Sequence, residues 1–287
     1  MPSLEKNIRP RRSLLFVPAL RPDRFVKALE SGADIVCTDM EDATPRDRKD
    51  EGRALALPLF KNITHPHVEW MARVNSLSTA DGLKDLTAII ESDAPPPSIM
   101  VPKVCSAEEL RLLDKLLIGR AAQIRYCVII ETNEGLENVM AIARASPRID
   151  SMIMGGVDMS ADLRCAKEWE PLLYARSRIV HAAATAGIDL LDVPFLNLED
   201  EAGLREETIR AAKLGSTGKA SIHPKQIAII NEVFSPSAEV IAKAKKVCAA
   251  FENEKSGLVV IDGELIELPV VRTSYRILAI AERLAKR

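Results

Sequence analysis

The stretch Tyr126–Asp162, YCVIIETNEGLENVMAIARASPRIDSMIMGGVDMSAD, decides how this chain folds. It opens on a short apolar run, Tyr126–Ile130, that stops at the carboxylate Glu131. Leu136, Val139, Met140 and Ala143 follow at helical spacing. A second apolar run, Met152–Met154, then reaches two glycines and another carboxylate, Asp158. Strand, acid, helix, strand, glycine turn, acid is the order of a βαβ unit. A right-handed crossover sets its two parallel strands side by side with their C-terminal ends at one edge of the sheet. Glu131 and Asp158, remote in sequence, are therefore expected to meet. Two carboxylates so placed either share a proton or bind a hard cation, and Mg²⁺ is the expected ion.

Working outward, the same alternation recurs. Ser13–Pro18, Asp34–Asp39, Val68–Asn75 and Ser98–Val104 read as strands before the central unit, and Ile188–Val193 and Gly218–Pro224 after it. Between them lie helical segments: from about Pro22 to Gly32, Arg46–Phe60, Thr79–Ser92, Ser106–Leu117, Pro171–Ala186 and Leu198–Leu214. Ser106-Ala107-Glu108-Glu109 has the form of a capping box, and Gly187 and Gly215 stand where helices end. Eight strands alternating with helices predict an α/β fold of the (β/α)₈ TIM-barrel type, although an open doubly wound sheet shares the periodicity. No glycine-rich dinucleotide fingerprint follows the first strand, which argues against a Rossmann domain.

From residue 233 the pattern changes. Pro236–Glu254 reads as a long charged helix and Ser256–Val271 as a hairpin turning at Asp262-Gly263. Ser274–Lys286 reads as a closing helix. The expected organisation is a catalytic barrel over 1–232 and a helix–hairpin–helix lid over 233–287.

Composition narrows the function. The 287 residues are 47% hydrophobic and 28% charged, a globular profile. A net charge of −2 gives no electrostatic ground for binding nucleic acid or an anionic membrane surface. No apolar run approaches the roughly 20 residues that span a bilayer, and no secretory signal is read at the N-terminus. The five cysteines include no CxxC and read as free thiols of a reducing cytoplasm.

Barrel enzymes carry their chemistry where strands meet the loops that follow them. The polar residues there are Asp39, Glu41 and Asp42 from strand two, Arg73 and Asn75 from three, and Lys103 from four. Glu131, Asp158 and His223 come from strands five, six and eight. Mg²⁺ held by Glu131 and Asp158, with Asp39, Glu41 and Asp42 behind them, would grip a 2-oxo acid and polarise its carbonyl. Arg73 would set a positive fork at the oxygen where charge develops. Structural alternatives stay open at this point. Glu131 and Asp158 could cap helices, Arg73 could pair with a strand-two carboxylate, Lys103 could be a solvated strand end, and His223 could anchor its loop. His65 and His67 have no partner histidine nearby for a zinc site.

Seven blocks, in order, resemble the landmarks of the citrate lyase β-subunit-like family within the aldolase–citrate lyase superfamily. They are SLLFVPALRPDRFVKALESGADIVCTDMEDA, RVNSLSTADGL, VPKV, IIETNEGL, GGVDMSADL, GKASIHPKQI and IDGELIELPVVR. Its relatives include malyl-CoA, β-methylmalyl-CoA and citramalyl-CoA lyases. The resemblance implies a Mg²⁺-dependent barrel that assembles as a homotrimer or hexamer, alone or with other citrate lyase subunits. It implies Glu131 and Asp158 as metal ligands, Arg73 at the substrate oxygens, and Gly155, Gly156 and Val157 offering N–H groups to the oxo acid's carboxylate. Arg21 and Arg24 would face the CoA phosphates. The implied reaction is retro-Claisen cleavage of a 3-hydroxyacyl thioester, on CoA or an acyl carrier, into an acyl thioester and a 2-oxo acid. A lid acid, Glu267 or Asp262, would exchange the α-carbon proton.

Two positions depart from the family pattern. Ile266-Glu267-Leu268-Pro269 has glutamate where relatives carry aspartate, and Val157 stands where many carry glutamate. Two other readings therefore stand beside the lyase: a metal-dependent class II aldolase acting on free 4-hydroxy-2-oxo acids, and a non-catalytic scaffold subunit.

Overall fold

Side-chain parity along the strands explains the architecture. In a strand, alternate residues face opposite sides, so a strand buried on both sides is apolar at both parities. The computed structural model describes residues 9–252, 259–261 and 264–286. Its strands are β1 (Ser13–Pro18), β2 (Ile35–Asp39), β3 (Glu69–Arg73), β4 (Ser98–Val101), β5 (Arg125–Ile130), β6 (Ile149–Met154), β7 (Asp189–Asp192) and β8 (Gly218–Ser221). Each pairs in parallel with the next, and β8 returns to β1 through Leu14↔Ala220, which closes the barrel. The open-sheet alternative is thereby excluded.

One parity fills the barrel. Leu14, Ile35, Cys37, Met71, Met100, Cys127, Ile129, Ile153, Leu191 and Ala220 form an interior cluster, with Phe16 against it. The other parity, including Leu15, Val36, Trp70, Val128 and Met152, packs into the larger layer beneath the helices. Continuing the interior parity one step beyond the apolar plug reaches Asp39, Arg73, Glu131 and Gly155. The polar residues of the mouth are thus the next rung of the same ladder.

The helices of this unit are α1 (Pro22–Ala28), α2 (Lys49–Ala56), α3 (Ala80–Glu91), α4 (Ala107–Leu116), α5 (Asn133–Glu137), α6 (Val139–Ala143), α7 (Gly156–Leu163), α8 (Leu173–Ala186), α9 (Glu201–Leu214) and α10 (Ile227–Phe234). The expected capping box at Ser106 and Glu109 is present. Gly187 (φ +71°) and Gly215 (φ +117°) end α8 and α9 in the left-handed region that glycine enters at least cost.

Several helices differ from the sequence reading, and α10 was not expected at all. The single helix expected around Leu136–Ala143 is two short ones that meet at Asn138. Helix α7 was not expected, because the Gly155-Gly156 pair reads as a turn; here it is a turn that starts a helix. The last helix begins at Leu268, not Ser274, because Pro269 lies in a first turn, where its missing N–H costs nothing.

By contacts, the chain forms two compact units: Arg11–Glu232, and one containing the residues from Val233 onward. In the second, α11 (Ala238–Glu252) and α12 (Leu268–Ala285) pack together. An antiparallel pair, β9 (Val259–Ile261) with β10 (Glu264–Ile266), joins them. Val247, Ile266 and Val271 make this unit's own small core. The Asp262-Gly263 turn lies outside the described residues. Among the described residues, no helix is long and apolar enough to cross a membrane.

Candidate active site at the barrel mouth

A cavity of about 340 Å³ opens at the C-terminal ends of the strands. Glu131, Asp158, Arg73, Asp42, Gly155, Gly156 and Val157 all line it. Four of these, Asp42, Arg73, Glu131 and Asp158, come from the strand-end pattern, and Gly155, Gly156 and Val157 from the family resemblance. Apolar residues, including Phe16, Ile129, Ile153 and Phe195, make up much of the rest. A largely apolar wall with a few convergent charges is the usual form of a small-molecule site.

Arg73 ends β3 as the mouth's fixed cation. Its Nε and one terminal nitrogen grip both oxygens of Asp39, at 2.7 and 2.5 Å. Its other terminal nitrogen lies 3.1 Å from Glu41 and 3.8 Å from Asp42. The guanidinium also sits 5.0 Å from the centre of the Phe16 ring. Surrounding carboxylates more than offset its burial and hold it firmly protonated. Asp39 is held in turn by N–H groups of Glu41 and Ala43. A bidentate clamp with braced partners fixes the fork in space.

Glu131 directly follows β5 and is 2% exposed. Its Oε1 accepts the backbone N–H of Lys103 at 2.9 Å. Its Oε2 faces Gly155, where a Cβ would lie 2.2 Å from that oxygen. Glycine there keeps room for the carboxylate. Burial, with Glu41 and Asp158 nearby, raises the Glu131 carboxyl to about 7, although Lys103 opposes the shift. Glu41 is raised too, chiefly by burial. Its Oε1 lies 2.5 Å from Lys103 Nζ, while its Oε2 is buried and accepts no hydrogen bond.

Asp158 stands in the first turn of α7, whose leading N–H groups have no partner within the helix. A helix N-terminus favours negative charge, whether a carboxylate or a bound anion. The residues here fit a hard divalent ion. Two carboxylates reach one cavity, one of them costly to keep charged alone, and Mg²⁺ commonly takes one or two carboxylates with the substrate and waters completing its shell. Among the described residues no group of three or more His, Cys, Asp or Glu could hold a metal ion, so a site here depends on those further oxygens.

Other expected residues lie elsewhere. Asn75 binds Asp85 and the Met40 carbonyl and braces its loop. The His223 ring accepts the Lys225 N–H and caps a short 3₁₀ turn. Arg21 pairs with Asp23 at the exposed start of α1, and Arg24 is exposed beside them. Glu267 is exposed at the N-cap of α12. Asp262 lies outside the described residues.

Sequence reasoning passed over strands one and seven. Phe16 and Val193–Asn197 nevertheless line the cavity, as do Lys167 and Glu207. The interior parity of β1 would have flagged Phe16. The segment after β7 is mostly apolar and gave no charge signal.

Comparison with known proteins adds an independent line. A family model described as HpcH/HpaI aldolase/citrate lyase matches residues 12–224. L-malyl-CoA/β-methylmalyl-CoA lyase of Rhodobacter capsulatus is 34% identical, over 94% of this chain and 94% of that protein. Citrate lyase subunit beta of Leuconostoc mesenteroides subsp. cremoris is 33% identical, over 96% of this chain and 94% of that protein. The structure of CitE from Mycobacterium tuberculosis in complex with magnesium, acetoacetate and coenzyme A has a TM-score of 0.76 and 29% identity. That match covers 96% of this chain and 98% of the other.

Proposed function

The chain belongs to the HpcH/HpaI aldolase/citrate lyase family, and from that premise we propose that it cleaves a 3-hydroxyacyl-CoA thioester into an acyl-CoA and a 2-oxo acid. The observation that carries the reading is the pairing of Glu131 and Asp158 on one cavity beside a clamped Arg73. The relatives named above act on CoA or citrate substrates, and the CitE complex contains both magnesium and coenzyme A.

Glu131 and Asp158 would hold the ion, which supplies Lewis-acid polarisation of the oxygens of the oxo-acid half. Arg73, whose Nε and one terminal nitrogen hold Asp39, presents its remaining terminal nitrogen to the hydroxyl oxygen as that oxygen becomes a carbonyl. Loss of the hydroxyl proton to solvent starts the break. The carbon–carbon bond between hydroxyl-bearing carbon and thioester α-carbon opens, and its electron pair moves into the thioester enolate. Because Asp39 and Glu41 already fix the guanidinium, little reorganisation is needed as charge develops. The Gly155 N–H is donated to the Ile130 carbonyl at 3.1 Å, so Gly156 and Val157 are the residues that bring helix-leading N–H groups toward the oxo acid's carboxylate. The enolate then takes a proton at its α-carbon, the role the family resemblance assigns to Glu267 or Asp262. Arg21 and Arg24 offer positive charge to the CoA phosphates.

The test is a coupled assay of oxo-acid release from malyl-, citramalyl- and citryl-CoA, with free 4-hydroxy-2-oxo acids in parallel. Release from at least one thioester, lost on chelation and restored by Mg²⁺, is expected. Glu131→Gln should lower kcat by about 10²–10³-fold. Turnover of the free acids alone would replace this reading with an aldolase. Full activity in excess chelator would end it.

A further inference from the structure

Lys103 combines two unusual features. It lies in the left-handed region (φ +55°), one of two non-glycine residues among those described that do so. The other, Arg164, is an ordinary left-handed cap at the end of α7. Lys103 ends no helix. It follows Pro102 directly after β4, where a left-handed conformation costs a side-chain-bearing residue energy unless the surroundings require it. From this conformation its backbone N–H reaches Glu131 Oε1 at 2.9 Å. Its ammonium meanwhile reaches Glu41 Oε1 at 2.5 Å. Glu41 in turn faces Arg73 at 3.1 Å across an oxygen that accepts no hydrogen bond.

One residue thus holds two of the mouth's carboxylates by two different groups. With Oε1 of Glu131 occupied, the space kept by Gly155 leaves Oε2 as the oxygen available to a ligand. We propose that Lys103 is a positioning residue: its backbone fixes the Glu131 carboxylate so that a single oxygen serves a divalent cation, and its ammonium keeps Glu41 engaged and out of competition for that ion. The inference rests on the reading of Glu131 as a cation ligand.

A simple charge argument predicts the opposite. Removing a positive side chain next to a cation site should tighten cation binding. If Lys103 positions, its removal should weaken binding despite the favourable change in charge. The experiment titrates the metal-free full chain with Mn²⁺, following the free-ion electron paramagnetic resonance signal, for wild type, Lys103→Met, Lys103→Arg, Glu131→Gln and the double variant Lys103→Met/Glu41→Gln.

Expected results are at least tenfold weaker Mn²⁺ binding for Lys103→Met, and near-wild-type affinity for Lys103→Arg. In the double variant, where no unpaired Glu41 charge remains, the deficit should shrink below threefold. Lys103→Gly, which adopts positive φ freely, serves in the same titration if Lys103→Met does not fold. Unchanged or tighter binding in the variant lacking the ammonium overturns the proposal. Glu131→Gln separates the two failures: if it binds Mn²⁺ as wild type does, the metal-site reading itself falls. If it alone loses binding, only the role of Lys103 does.

Discussion

The two ends of the barrel are built from similar side chains and balanced differently. At the N-terminal end, Arg11 is 5% exposed and binds Glu69, Asp189 and Asp150 at 2.8, 3.0 and 3.2 Å. Arg125 adds a second grip on Asp150, and Ser98 one on Glu69. Cations and acids there interlock and close the end. At the C-terminal end, Asp39, Glu41, Asp42, Glu131 and Asp158 face Arg73 and Lys103. Arg73 is braced by the strand-two acids, and Lys103 is paired with Glu41. Among the described residues no salt bridge joins Glu131 or Asp158 to a side-chain cation, although Lys167 lines the same cavity. The difference supports the proposed site: one end completes its electrostatics within the chain, and the other keeps an excess of acids beside a cavity.

The sharpest way to break this comparison is to unbalance the closed end. Arg11→Met should leave three acids without their shared partner and destabilise the protein by about 3–5 kcal/mol, the usual cost of breaking a buried pair. Glu131→Gln removes an acid that has no such partner, so it should be neutral or stabilising in the metal-free protein. Urea unfolding of both variants, compared at constant m-value, provides the measurement. A loss below about 1 kcal/mol for Arg11→Met would mean that the two ends do not differ as described.

The pH dependence of stability sharpens the same point. The folded-state value for Glu131, about 7, lies above its ordinary 4.5, so folding favours the protonated form. Stability from this group is complete below 4.5 and is lost as pH rises through 7. Relative to Glu131→Gln, the metal-free wild type should lose up to about 3 kcal/mol across that window. Mn²⁺ should restore the loss at the upper end, where the carboxylate is charged. A flat difference between the two proteins from pH 4.5 to 8 would contradict the burial and crowding described for Glu131.

Much of this was readable in the sequence, for a definite reason. Strands that end abruptly in an acid, as YCVII does at Glu131, announce both the strand and the chemical residue after it. Parity then carries Asp39, Arg73 and Gly155 to the same mouth. What stayed hidden had no local signature. Arg73 had three acids within reach, and only the fold selects Asp39 for the bidentate grip. Helix α7 was masked by glycines that also suit a turn. Pro194, Phe195 and Leu196 shape the cavity through apolar surface, which is unremarkable in sequence. The left-handed backbone of Lys103 was invisible because lysine gives none of the warning that glycine would.

Gly155 offers the finest cut between the two ends, because it concerns space rather than charge. Its φ of −89° is available to any residue, so alanine carries no backbone penalty there. The added Cβ would lie 2.2 Å from Oε2 and 2.5 Å from Cβ of Glu131, a separation that real atoms do not sustain. Glu131 must therefore move, and the hydrogen bond from Lys103 resists that movement. Gly155→Ala should weaken Mn²⁺ binding by about 10–100-fold, the range seen when the supports of a metal ligand are disturbed. Gly187→Ala is the matched control. Nothing lies within 4 Å of its Cβ position, but its φ of +71° should cost about 1 kcal/mol of stability. The control should therefore unfold more easily yet bind Mn²⁺ as wild type does. If Gly155→Ala shows the same signature as the control, the room beside Glu131 is incidental. If it loses the ion while the control keeps it, that glycine holds open the space that distinguishes the mouth from the closed end.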